Sequence, residues 1–155
     1  MPAHEELLRE FQEFALTAPS ATSLMERISQ RLHEKIPSYN WVGFYLIDPT
    51  DPEILVVGPF TGSFTPNARI PLDTGLCGAA ARSGQTVVVQ DVSSDPRYLP
   101  GSSTVKSEIV VPILVNGRLA AELDIESYFA STFTKPEQEF VEACAAMIGA
   151  CLGRG

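Results

Sequence analysis

This sequence has few basic residues and no long hydrophobic run, and each absence excludes a class of partner. The chain holds 11 lysine and arginine residues against 19 aspartate and glutamate residues, so its net charge is -8. Because phosphate binding requires a concentrated basic surface, we expect no nucleic acid partner. No apolar run approaches the roughly 20 residues that span a bilayer, and the N-terminal segment MPAHEELLRE is charged rather than signal-like. We therefore expect no membrane partner and a cytoplasmic protein.

Cysteines are also scarce. The chain has an odd number of them, Cys77, Cys144 and Cys151, and no CxxC motif or Cys/His cluster. We therefore expect reduced thiols, no cofactor and no bound metal. Cys144 and Cys151 lie seven residues apart on one stripe of a predicted helix, which is too far for a disulfide between them.

The order of hydrophobic patterns predicts an α+β fold. With 155 residues, 45% of them hydrophobic and 19% charged, the chain has the balance of one globular domain. Helical periodicity predicts two N-terminal helices within residues 4–36 and a C-terminal helix over 134–152, with strands over 40–127 between them. Helices gathered at both ends of a run of strands favour packing on one face of an antiparallel sheet.

The clearest local motif is a β-hairpin over Ser107–Ser127, SEIVVPILVNGRLAAELDIES. Its turn is Asn116-Gly117, the dipeptide that best tolerates the positive φ angles of a tight hairpin turn. Side chains alternate across a strand, so one face of this hairpin is apolar and the other is acidic. The acidic face holds Glu108, Glu122, Asp124 and Glu126.

Carboxylates on one sheet face repel one another, so this face requires bulk water, a cation or protonation of some members. One interpretation is a solvated outer face. The other is a pocket that binds a cationic group such as an amine or a hard metal ion. A metal site on Glu108, Asp124 and Glu126 is the less favoured form of that pocket, because no spacing rule singles it out.

An aromatic strand, NWVGFYLI, covers residues 40–47. Trp41, Gly43 and Tyr45 share one of its faces. A glycine between two aromatic residues is typical of a strand that something approaches closely, which favours a pocket wall. The alternative is that Trp41 and Tyr45 cap the core, with their polar atoms reaching water.

The segment DTGLCGAAARSG, residues 73–84, predicts a short helix with Cys77 near its start. The free N–H groups and the dipole at that end lower the pKa of a thiol and raise its reactivity. The alternative is a small buried thiol, since free cysteine is among the most buried residue types. A loop rich in Ser, Pro and Gly, residues 91–106, is a candidate lid.

In this order and spacing, the segments NWVGFYL, LVVGPFTG, ARIPLDTGLCGAA, QDVSSDP, the hairpin and FTKPEQEF resemble the GAF-domain family of free methionine-(R)-sulfoxide reductases. The resemblance covers nearly the whole chain after Ser38. It implies a single GAF domain over residues 1–155, with a six-stranded antiparallel sheet. The N- and C-terminal helices would pack on one face of the sheet and a ligand pocket would lie on the other, in a homodimer.

In that family the pocket holds free methionine sulfoxide, and the resemblance transfers its binding positions to this chain. Those positions are Trp41, Tyr45, Glu108, Asp124 and Glu126. Glu126 keeps the charge of the family's aspartate on a longer side chain. Glu122 stands where an apolar residue is usual, and we add it to the candidate ligand-binding residues.

The redox positions of that family are changed. Its attacking cysteine lies seven residues before the acid of SEIV, at Gly101 here, and its partner cysteine lies two residues before RIP, at Asn67. Only the cysteine of the GxCG segment remains, as Cys77. We therefore predict a non-catalytic sensor or regulatory module that binds a small, polar, amine-bearing molecule. Alternatives are a reductase that uses Cys77 as catalytic nucleophile with an external resolving thiol, and a dimerisation module with a vestigial pocket.

Overall fold

The structure is a computed structural model that describes residues 2–64, 66–100 and 102–154. Within these ranges the chain forms helices, strands and a short 3-10 helix over Val92–Ser94. The helices are α1 (Pro2–Thr17), α2 (Ala21–Lys35), α3 (Gly75–Ser83) and α4 (Lys135–Arg154). The strands are β1 (Trp41–Asp48), β2 (Asp51–Gly62), β3 (Arg69–Pro71), β4 (Val87–Val89), β5 (Ser107–Val115) and β6 (Arg118–Ser127).

The strands form one antiparallel sheet in the order β3-β2-β1-β6-β5-β4. The predicted hairpin is its β5-β6 pair, and both turn residues have positive φ, 54° at Asn116 and 77° at Gly117. Glu108 lies directly opposite Glu126 in this pair, and Val110 lies opposite Asp124. The six-stranded α+β architecture predicted from the sequence is confirmed.

One face of the sheet packs against α2 and α4, and α1 packs against both of these helices. We call the apolar layer between them the helix-side core. It contains Leu7, Phe11, Leu24, Met25, Ile28, Leu32, Ile36, Tyr39, Val42, Phe44, Ile109, Val111, Ile113, Ala121, Leu123, Ile125, Phe133, Phe140, Val141, Cys144, Ala145 and Ile148. Burying each large apolar side chain here stabilises the fold by about 1.5–3 kcal/mol.

The other face of the sheet is covered by α3 and by loops, and we call its apolar layer the pocket-side core. It contains Trp41, Tyr45, Leu55, Ile70, Leu76, Cys77, Ala79, Ala80, Val87, Val89, Val92, Val105 and Val110. The acidic residues of β5 and β6 point to this side, because they alternate with the apolar residues that enter the helix-side core.

Short polar contacts fix the helix ends. Ser20 precedes α2, and its hydroxyl accepts a hydrogen bond from the Ser23 N–H at 3.1 Å. In the first turn of α1, His4 Nε2 lies 2.7 Å from Glu137 Oε2 of α4. α1 begins at Pro2, two residues before the predicted start. Proline is well tolerated at this position, because backbone N–H groups in the first helical turn have no partner within the helix. α4 ends at Arg154, two residues after the predicted end.

Candidate functional site

The floor of the candidate site is the acidic face of β5 and β6. Glu108, Asp124 and Glu126 are 5%, 2% and 6% exposed. The interpretation as a solvated outer face is therefore wrong, because α3 and the loops cover these carboxyl groups. The alternating pattern predicted which side chains share the face, but only the covering segments decide whether water reaches it.

A small cavity lies between this floor and the segments above it. The volume of this cavity is about 20 Å³. That is room for about one water molecule, so a larger ligand requires the covering segments to move. The lining includes Tyr45, Cys77, Leu99, Glu108, Asp124 and Glu126.

Burial sets the protonation of the floor. It raises the pKa of Glu108 and of Glu126 well above the usual range, and the negative charge on Asp124 raises both further. Burial also raises the pKa of Asp124, but only to about 6, because hydrogen bonds from Glu108 and from the Cys77 thiol favour its charged form. Burial therefore disfavours the charged form of all three carboxyl groups, and Asp124 is the one whose charged form neighbouring donors stabilise.

Glu122 lies on the same face of the sheet as the floor residues but is not in the cavity lining. Its β-strand neighbours are Tyr45 on β1 and Pro112 on β5. It is 0% exposed, and neither carboxyl oxygen has a hydrogen-bond partner among the described residues. Burial, with the charge on Asp124, raises the pKa of Glu122 well above its usual range, so the site beside the pocket favours the protonated form of this acid.

Trp41 lies in the pocket-side core but is not in the cavity lining. It is 0% exposed, and its ring stacks on Phe60 and Phe64 at centroid distances of 5.5 and 5.9 Å. A Cβ placed on Gly43 would overlap the Trp41 ring. The group that closely approaches Gly43 is the Trp41 indole.

Tyr45 joins the floor to two covering segments. Its hydroxyl donates to the Asn67 carbonyl oxygen at 3.1 Å, and the Asn67 side-chain N–H donates to the Pro100 carbonyl oxygen at 3.3 Å. Burial raises the pKa of Tyr45, so the phenol stays neutral. Asn67 occupies one of the two positions where the family resemblance places redox cysteines. The other position, Gly101, lies outside the described residues.

Cys77 is the third residue of α3 and is 4% exposed. Its thiol donates a weak hydrogen bond to Asp124 Oδ2 at 3.8 Å. Burial and the charge on Asp124 raise the pKa of Cys77 well above its usual range. The helix dipole is therefore outweighed, and the structure favours the buried-thiol interpretation over the reactive one.

The other two cysteines are remote from Cys77. Cys144 is buried in the helix-side core, and Cys151 is half-buried further along α4. The sheet separates both from the cavity. Among the described residues, Cys77 therefore has no neighbouring thiol with which it could form a disulfide.

Three potential metal-ligating groups meet in the cavity. One donor atom each from Cys77, Glu108 and Asp124 lies within 4.8 Å of the others. Glu126, which the sequence suggested as the third member, is not in this group. No local sequence pattern pairs Cys77 with Asp124, because they are 47 residues apart and meet only when α3 packs on β6.

The chain matches the GAF domain family over residues 21–152 and belongs to that family. Within it, the chain is homologous to free methionine-R-sulfoxide reductases. It is 29% identical over 145 residues to the free methionine-R-sulfoxide reductase of Escherichia coli (strain K12). The aligned region covers 94% of this chain and 86% of that protein.

Two solved structures resemble the fold closely. One is the free methionine-R-sulfoxide reductase of Neisseria meningitidis in complex with its substrate, with a TM-score of 0.91, 30% identity and coverage of 99% of this chain and 93% of that chain. The other is a candidate GAF sensor protein from Burkholderia vietnamiensis, with a TM-score of 0.90, 29% identity and coverage of 99% and 98%. The family predicted from the sequence motifs is confirmed. Within the described part of the chain, no helix is long and apolar enough to cross a membrane.

Proposed function

We propose that this protein is a ligand-binding GAF domain that holds a small amine-bearing molecule of the methionine sulfoxide class and does not reduce it. It would act as a sensor or regulatory module, in the cytoplasm and as a homodimer. The observation that carries the proposal is the floor of three buried carboxyl groups. Among the described residues, Glu108, Asp124 and Glu126 form no salt bridge with any cation of the protein.

A ligand ammonium group suits this floor. Asp124, with a pKa of about 6, supplies negative charge at pH 7, and the carboxyl oxygens of Glu108 and Glu126, whose pKa values burial raises, are further acceptors. An ammonium group offers three N–H donors, so one cation satisfies acceptors from two strands. Charge-assisted hydrogen bonds of this kind are about twice as strong as neutral ones.

The absence of turnover is supported by the state of the thiols. Reduction of a sulfoxide by thiol chemistry requires a thiolate that attacks sulfur and a second thiol that resolves the adduct. The pKa of Cys77 is raised by burial, so its thiolate is scarce at neutral pH. Asn67 stands at one redox position and joins the covering loops instead.

The proposal is tested by calorimetric titration of the reduced protein with free methionine sulfoxide at pH 7, with dithiothreitol and EDTA present. We expect saturable binding without the sustained heat of turnover. Asp124→Asn removes the charge that faces the ammonium group, so its affinity should fall at least about tenfold. Affinity should also fall between pH 7 and pH 5, because Asp124 takes up a proton near pH 6.

Two controls isolate the amine. N-acetylmethionine sulfoxide keeps the sulfoxide but lacks the cation, so it should not bind. Glu13→Gln removes an exposed acid on α1 and should leave affinity unchanged. Equal binding of the acetylated compound, or an Asp124→Asn protein that binds as the wild type does, would contradict the proposal.

One observation favours the reductase as the second candidate. Cys77 lines the cavity, and Asp124 lies beside its thiol as a possible proton acceptor. The thiolate would attack the sulfoxide sulfur and take its oxygen as a sulfenic acid, and external dithiothreitol would then restore the thiol with release of water. Sustained heat in the wild type that Cys77→Ser abolishes would establish this function and refute the non-catalytic proposal.

A further inference from the structure

The cluster of Cys77, Glu108 and Asp124 has the dimensions of a metal site. A tetrahedral zinc ion with bonds of about 2.3 Å to sulfur and about 2.1 Å to oxygen places its donor atoms about 3.5 Å apart. Here Cys77 Sγ lies 3.8 Å from Asp124 Oδ2, and the three donor atoms all lie within 4.8 Å of one another. Shifts of about 1 Å or less would bring them into coordination distance.

A buried carboxylate oxygen of Asp124 can accept a further contact at this cluster. Asp124 is 2% exposed, and its Oδ1 has no hydrogen-bond partner among the described residues. An unsatisfied buried polar group destabilises the protein, so a cation bound beside Asp124 would offset that penalty.

The donor types select the class of cation. Mg²⁺ and Ca²⁺ prefer oxygen ligands alone, whereas a cysteine sulfur together with carboxylate oxygens suits Zn²⁺ and its softer analogue Cd²⁺. Three protein ligands leave a fourth tetrahedral position free. The cavity has room for about one water molecule, which is what that position requires.

We propose that Cys77, Glu108 and Asp124 form a binding site for a divalent cation of the zinc class. On binding, the thiol and the protonated carboxyl group release their protons to solvent, and the metal takes their place without any redox change. The metal and the amine ligand share Glu108 and Asp124, so they compete for the pocket. The metal site does not depend on the amine proposal, since it requires Cys77 and the amine site does not.

Cadmium is the probe of choice because a Cd²⁺–thiolate bond gives a near-ultraviolet charge-transfer band. The protein is prepared reduced and metal-free on a Cys151→Ser background, which removes the half-exposed thiol. We expect one equivalent of Cd²⁺ to bind with appearance of the band. Zn²⁺, titrated against a chromophoric chelator, should bind the same protein.

The variants should follow a defined order of effect. Cys77→Ser should abolish the band and weaken Zn²⁺ binding at least about tenfold. Asp124→Asn and Glu108→Gln should each weaken binding while the band persists, since the thiolate remains. Glu126→Gln, outside the three-residue group, should have a smaller effect than either.

Two results would overturn the proposal. One is a band that persists in the Cys77→Ser protein, which would place the metal on Cys144 or elsewhere. The other is a Cys151→Ser protein that binds neither Cd²⁺ nor Zn²⁺ at micromolar concentration although its melting curve is that of the wild type. These titrations contain no amine ligand, and the calorimetric titration contains EDTA, so either proposal can fail without the other.

Discussion

The side chains on the two faces of β6 are equally buried, but their surroundings differ. Leu123 and Glu122 are adjacent in sequence, and both are 0% exposed. Leu123 enters the helix-side core among apolar neighbours. Glu122 enters the opposite face, where neither carboxyl oxygen has a hydrogen-bond partner in the described part of the chain. The helix-side face buries apolar side chains that stabilise the fold, whereas the pocket-side face buries carboxyl groups at a cost in stability.

The largest expected effect is on the helix-side face. Leu123→Ala leaves a cavity in a close-packed core, so the free energy of unfolding should fall by about 2–5 kcal/mol. Urea denaturation followed by circular dichroism measures this change. A loss below about 1 kcal/mol would show that this core is loosely packed and would remove the contrast between the faces.

On the pocket-side face, Glu122→Leu should have the opposite sign. It replaces an unpartnered buried carboxyl group by an apolar side chain of similar volume, so we expect stabilisation of about 1–3 kcal/mol at pH 7. The gain should grow with pH. The pKa of Glu122 is raised in the folded state, so protonation of this carboxyl group favours the folded protein. This contribution to the free energy of unfolding is complete below the unfolded-state pKa and is lost as pH rises toward the folded-state pKa. The Leu variant lacks this loss.

The pH profile is measured by urea denaturation in EDTA between pH 4 and pH 8. Glu122→Gln is the matched control, because it removes the titration but keeps a buried polar group. It should therefore remove the part of the pH dependence that Glu122 contributes, without the full gain in stability. Destabilisation of the Leu variant at pH 7 would mean that the carboxyl group has a favourable partner in solution.

The smallest effect concerns a polar group on the helix side. Tyr39 is 0% exposed, and its hydroxyl donates to Glu137 Oε1 at 3.1 Å. Tyr39→Phe removes this bond and should lower the free energy of unfolding by about 1 kcal/mol, in the range of a typical hydrogen bond. Thermal unfolding at pH 7 measures it. An unchanged melting temperature would mean that the hydrogen bond from Tyr39 to Glu137 adds no net stability, so the helix side would not differ from the pocket side in this respect.

Much of the fold was predictable because its signals are local. The Asn116-Gly117 turn and the alternation along β5 and β6 require only neighbouring residues, and both predictions are confirmed. The role of Gly43 was not predictable in this way. It depends on how the Trp41 ring lies across the strand, and a sequence pattern does not contain side-chain conformations.

The sequence by itself determined the family, the strand order of the hairpin and the face on which the acids lie, because periodicity and turn chemistry act over a few residues. Only the tertiary structure decided that these acids are buried, that Asp124 is the most acidic of them, and that Cys77 lies beside it. Each of these depends on α3 packing across the sheet. Burial and the distances between charges are properties of segments that are far apart in the chain, and they set the pKa of every group in the pocket.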